Sequence, residues 1–96
     1  MKIRREFVDL ATGQVHYRTA GRSDPILCIH ASPGSSRQLV PLLDGLAHAF
    51  RVIAPDTPGH GDSEPFGRDN PTIVDFAARL PALLDALAID RKFLMR

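Results

Sequence analysis

Two short, wholly apolar runs do most to limit what this chain can fold into. Ile26-Leu27-Cys28-Ile29 is opened by Pro25 and closed by His30, and Val52-Ile53-Ala54 lies between Arg51 and Pro55. Runs of this length, bounded by turn residues, fit strands buried on both faces, as inside a parallel sheet covered by helices. Between them Leu39, Leu43, Leu46 and Phe50 recur at helical spacing and form one apolar stripe. Pro41 is compatible only with the first turn of such a helix. The expectation is a helix over about 37–50 with an irregular start and regular turns from Val40.

The flanking segments extend this strand–helix–strand unit in both directions. Residues 3–10 run into the turn signal Ala11-Thr12-Gly13-Gln14, and residues 15–19 are rich in β-formers before Ala20–Pro25 breaks them. The pair reads as an antiparallel hairpin. His16 and Tyr17 point to opposite faces of its second strand, and nothing adjacent in sequence completes a site around either, so both are read as structural. Thr72-Ile73-Val74-Asp75 follows the capping-box pattern with Asp in place of Glu, and an apolar face carries the helix to about residue 89. Pro81 costs about 3 kcal/mol in a regular helix interior, which predicts a kink or two short helices meeting there. Residues 92–96, beyond that helix, open one more strand. Strands near 3–10, 15–19, 26–30, 51–55 and 92–96 with helices near 37–50 and 72–89 define one α/β domain over residues 1–96.

Composition closes off other classes. The chain is 44% apolar and 24% charged, close to globular averages, so collagen-like, disordered and coiled-coil architectures are excluded. Twelve Lys+Arg against 11 Asp+Glu leave +1, too little and too scattered for a nucleic-acid footprint. Cys28, the lone cysteine, has no intramolecular partner and sits where a small buried hydrophobe belongs. No apolar run is long enough to span a bilayer, and the charged N-terminus lacks the apolar stretch of a signal peptide. The expectation is a soluble cytoplasmic protein. His60 has only Asp62 close by in sequence, too few ligands for a metal, and neither a phosphate-binding loop nor a dinucleotide fingerprint is present. No metal or cofactor is expected.

The loops after the two apolar strands carry a family signature. His30-Ala31-Ser32-Pro33-Gly34-Ser35-Ser36 resembles the His-Gly-x-Pro segment of α/β-hydrolases, with Ala31 where that family has Gly. Arg51-Val52-Ile53-Ala54-Pro55-Asp56-Thr57-Pro58-Gly59-His60-Gly61-Asp62-Ser63 is similar to the family's Arg-Val-Ile-Ala-Pro-Asp-x-x-Gly-x-Gly-x-Ser almost residue for residue. With the spacing between them and the helix that follows, the resemblance covers Val15 to Met95. It implies the N-terminal part of an α/β-hydrolase sheet, mostly parallel, in the order 1-2-4-3-5 with strand 2 antiparallel, flanked by one helix on each face.

The resemblance also implies roles. The backbone N–H of Ser32 would be one of two oxyanion donors, the other following the nucleophile. His30 and Gly34 would brace the first loop, and Asp56, Gly59, Gly61 and Ser63 would shape the second turn. The family's nucleophile stands in a Gly-x-Ser-x-Gly elbow or an Asp or Cys variant of it. No such pattern occurs here, and Arg96 falls where the elbow's first Gly belongs. No residue of a catalytic triad is therefore assigned. The expectation is a truncated relative of hydrolases of esters, epoxides, C–C or carbon–halogen bonds, inactive as it stands, with a small-molecule substrate only in a complete homologue. The alternative is a short non-enzymatic protein that pairs with another chain through its sheet edge. An uncovered edge also implies weak folding and self-association.

Overall fold

The computed structural model describes residues 2–11, 13–30, 34–57, 61–63 and 73–89. Strands β1 (Arg4–Leu10) and β2 (Gly13–Ala20) form an antiparallel hairpin with Arg4 opposite Thr19 and Leu10 opposite Gly13. β2 also pairs antiparallel with β4 (Arg51–Pro55), Tyr17 lying opposite Pro55 and Ala20 opposite Val52. β3 (Pro25–Leu27) joins the far side of β4 in parallel, with Ile26 opposite Val52. The described strands thus run β1-β2-β4-β3. The strand expected over 92–96 lies outside the described residues.

The described strands follow the expected order 1-2-4-3, and β2 is the expected antiparallel strand, paired antiparallel to both its neighbours. One expectation about the sheet changes. β3 ends at Leu27 instead of reaching residue 30, and its three residues are half-buried rather than buried on both faces. After one further hydrogen bond, from Cys28 N–H to Ile53 C=O at 2.9 Å, the chain leaves the ladder and Ile29 is 46% exposed. Only β4 keeps the burial that its apolar run implies, with Val52, Ile53 and Ala54 at most 1% exposed.

Alternation along β4 builds two cores. Val52 and Ala54 pack with Ala20, Leu43 and Ala47 on one face, and Ile53 packs with Tyr17, Leu84 and Ile89 on the other. The first face lies under a 3₁₀ turn (Ser36–Leu39) and helix α1 (Val40–Leu46), and the second under helix α2 (Ile73–Ala86). Pro41 sits in the first turn of α1, where its missing N–H is harmless. Regular helix stops at Leu46, short of residue 50, although the Phe50 N–H still reaches the Leu46 carbonyl at 2.9 Å. Gly21, at φ +84, follows β2 where a Cβ would lie 2.1 Å from the Phe50 carbonyl, so the chain's passage there depends on glycine.

α2 runs through Pro81 as one element and does not divide into two helices. It closes on Ala88, at φ 58, with Ala88 N–H to Asp85 C=O at 3.1 Å and Ile89 N–H to Leu84 C=O at 2.8 Å. That bonding pair is a Schellman cap with alanine at the left-handed position. Ile89 then folds back onto Leu84 in the second core. Among the described residues no helix is long and apolar enough to cross a membrane.

Candidate functional site

The polar centre of the molecule forms where β2 and β4 stop pairing. The register that sets Tyr17 opposite Pro55 brings His16 level with Asp56, and the Asp56 N–H continues the ladder to the His16 carbonyl at 2.8 Å. Asp56 keeps the alternation of Val52 and Ala54, so its side chain turns to the α1 face, where it is 1% exposed.

Three donors converge on that carboxylate. Oδ1 accepts the Ser36 N–H at 2.7 Å. Oδ2 accepts the Asp62 N–H at 3.0 Å and lies 2.7 Å from Nδ1 of the fully buried His16. Burial opposes the charge, but the hydrogen bonds from Asp62, Ser36 and His16 outweigh it and hold the Asp56 pKa at about 2. Arg5 Nε donates to His16 Nε2 at 3.1 Å. Since arginine can only donate, His16 takes the tautomer with its proton on Nδ1, directed at Asp56.

The same carboxylate explains the turn that follows. Gly61 adopts φ +50, and a Cβ on it would stand 2.2 Å from Asp56 Oδ2. The Asp62 carboxylate turns outward to pair with the Arg5 guanidinium. The Ser63 hydroxyl donates to the Asp56 carbonyl at 2.7 Å and accepts the His16 N–H at 2.9 Å. β2, the start of the 3₁₀ turn and the segment 61–63 are therefore tied to one buried anion.

His30 forms a second tie. It is buried, and its Nε2 accepts the Thr57 N–H at 3.1 Å, with Thr57 Oγ1 at 3.2 Å. The loop after β3 is thereby fastened to the loop after β4. Gly34 is half-buried, and the atoms nearest a Cβ there would be the flexible end of Gln38. Ser32 and Gly59 lie outside the described residues. Cys28 is half-buried, and burial raises its thiol pKa, away from the reactive thiolate.

Of the residues singled out in the sequence, the structure joins Asp56, Gly61 and Ser63 in one network and places His30 in another. Sequence reasoning missed His16, Ser36 and Asp62 as partners of Asp56, and Arg5 as the partner of His16 and Asp62. His16 keeps the structural role read from the sequence, with a partner that lies 40 residues away across the β2–β4 pairing. His16, Asp56 and Asp62 place three potential ligand atoms within 4.8 Å of one another. Their capacity is already committed, however: the His16 proton to Asp56, and the Asp62 carboxylate to Arg5. Chemically this is a fixed ionised scaffold rather than an open metal site or a base.

A mixed sheet with helices on both faces, and a buried aspartate organising the loop after an interior strand, define an α/β-hydrolase-type architecture. A family profile described as alpha/beta hydrolase fold matches residues 24–95, and the chain belongs to that family. It is 35% identical over 83 residues to a haloalkane dehalogenase of Psychrobacter cryohalolentis, covering 80% of this chain and 27% of that protein. It is 30% identical over 94 residues to the 2-hydroxy-6-oxo-6-phenylhexa-2,4-dienoate hydrolase of Comamonas testosteroni, covering 91% and 32%. Among solved structures, the ligand-free epoxide hydrolase CorEH superposes with a TM-score of 0.83 at 30% identity, covering 90% of this chain and 30% of that one. The chain thus spans less than a third of the length of these relatives.

Proposed function

We propose that these 96 residues supply the oxyanion side of an α/β-hydrolase active site, with the Ser32 N–H as one donor, and do not themselves complete a catalytic centre. The observation that carries this reading is the His30–Thr57 bond. It fastens the segment leading into Ser32 to the segment following Asp56, and a donor must be held in place before the reaction begins. Gly61 and Ser63, through Asp56, steady the second loop in turn. The relatives are named for an epoxide, a haloalkane and a dienoate. Small organic esters, epoxides, C–C or carbon–halogen compounds are accordingly the substrate class of the whole enzyme. The sequence contains no Gly-x-Ser-x-Gly elbow, which supports an inactive chain when it is taken alone. We place the protein in the cytoplasm, a reading supported by a lone cysteine that calls for no oxidising compartment.

Two measurements test this. The 96-residue chain is expected to hydrolyse p-nitrophenyl acetate no faster than a protein-free blank. A saturable rate abolished by Ser32→Pro, which removes the N–H, would overturn the claim of inactivity. Residues 1–96 can also be joined to the remainder of the Comamonas dienoate hydrolase. In that chimera Ser32→Pro should lower kcat by about 10²–10³-fold. An active chimera that keeps its full kcat would remove Ser32 from the site.

A further inference from the structure

An open cleft of about 380 Å³ lies beside β1 and β2 on the α1 face, lined by Arg5, Arg18, Ser35, Arg37 and Asp62 with Asp56 beneath. Its charges are arranged against ordinary sheet rules. Arg5 and Arg18 stand directly opposite each other in the hairpin, and like charges in that position destabilise a sheet. Arg5 is compensated by Asp62. Arg18 is not, since its Nη1 donates to the neutral Ser36 hydroxyl at 2.7 Å and no described carboxylate pairs with it. Arg37 is exposed and likewise has no carboxylate partner among the described residues. Asp56 cannot serve either, because its oxygens already accept from Ser36, Asp62 and His16.

Two guanidinium groups therefore share one cleft with no carboxylate bonded to either among the described residues, and one of them is half-buried and donates to a buried serine. Guanidinium forks match the paired oxygens of phosphate and do so more strongly where water is partly excluded. Ser35 Oγ accepts the Arg37 N–H at 3.2 Å, a bond that leaves the hydroxyl proton free to be donated. We propose that this cleft binds a compact tetrahedral oxyanion, inorganic phosphate or the phosphate of a small organic ester, on Arg18 and Arg37 with Ser35 as a third donor. The proposal does not depend on the hydrolase reading, since none of these three residues has a part in it.

The test is calorimetric titration of the 96-residue chain with sodium phosphate against sodium chloride at constant ionic strength and neutral pH. Saturable binding of phosphate and none of chloride is expected. Arg37→Ala and Arg18→Gln should each weaken it about tenfold or more, whereas Arg22→Ala, an exposed arginine outside the cleft, should not. Arg37 makes no side-chain bond to the buried network, so its variant separates lost binding from lost folding even if Arg18→Gln unfolds. Phenyl phosphate bound more tightly than inorganic phosphate identifies an ester ligand, and equal affinity identifies the free anion. The proposal is overturned if phosphate heats match those of chloride, or if Arg37→Ala binds as tightly as the parent.

Discussion

His16 Nδ1 stands 2.7 Å from Asp56 Oδ2, and both side chains are withdrawn almost completely from solvent. The two residues are 40 positions apart, yet each is where it is because β2 and β4 pair in one register. Around that contact the protein gathers the donors that a buried carboxylate requires. A buried charge satisfied in this way is costly to break from one side, because what remains is an uncompensated group.

Asp56→Asn tests this directly. An amide has a single acceptor oxygen. If that oxygen serves His16 and Asp62, its NH₂ faces the Ser36 N–H, donor against donor. The expected loss is about 3 kcal/mol of unfolding free energy, read as a lower urea midpoint. An unchanged midpoint would show that the network is not what holds the three segments.

The same group sets an acid limit on stability. The folded Asp56 pKa is about 2, against an ordinary 3.8. The unfolded state therefore binds the proton more readily, and stability falls as pH drops from about 4 through about 2. The contribution, full above the unfolded pKa, is about 2–3 kcal/mol for one carboxylate. Urea midpoints measured between pH 6 and pH 2 should fall accordingly, and Asp56→Asn should flatten the part of the slope below pH 4.

Gly61 and Gly45 should respond in opposite directions to the same substitution. Gly61→Ala places a methyl group 2.2 Å from Asp56 Oδ2 at a φ of +50, and it should cost about 2 kcal/mol or more. Gly45 is exposed within α1, and a Cβ there meets nothing within 4 Å. Gly45→Ala should stabilise by about 0.5–1 kcal/mol. Thermal unfolding of the two variants side by side checks both signs, and a shared sign would contradict the account of Gly61.

Much of the architecture was legible because it is written in local patterns. The run Val52-Ile53-Ala54 announced a strand between two helical layers, and Pro41 announced an irregular helix start. The resemblance implied one turn shaped by Asp56, Gly61 and Ser63, and in the structure Gly61 lies against the Asp56 carboxylate while Ser63 bonds the Asp56 carbonyl. What stayed hidden depends on pairing rather than on spacing. His16 reads as an isolated histidine until the β2–β4 register is known, and Arg5 reaches the site only through the hairpin. The run at residues 26–29 suggested the same burial as β4, but a run cannot reveal that its strand gains a described neighbour on one side only. That α2 stays one element through Pro81, and not two short helices, was hidden for a related reason. Propensity weighs a residue against an isolated helix, whereas here Leu83 and Leu84 are anchored in the core just beyond the proline.

The end of α2 offers a substitution that should improve the protein. Ala88 occupies the left-handed position of a Schellman cap at φ 58. For an L-residue with a Cβ that conformation costs about 1–2 kcal/mol, and for glycine it costs almost nothing. The cap is nevertheless retained, because Ile89 at the next position is drawn into the core beside Leu84 and Tyr17. Packing therefore overrides local preference at this residue. Ala88→Gly should keep the bond from Ile89 N–H to Leu84 C=O and remove the strain. The greater freedom of glycine in the unfolded chain takes back part of the gain. A net stabilisation of about 0.5–1 kcal/mol is expected, read as a raised urea midpoint with an unchanged slope. The paired variant Ile89→Ala should lose about 2–4 kcal/mol. If Ala88→Gly destabilised the protein, the cap would not be strained and the left-handed turn would owe nothing to the burial of Ile89.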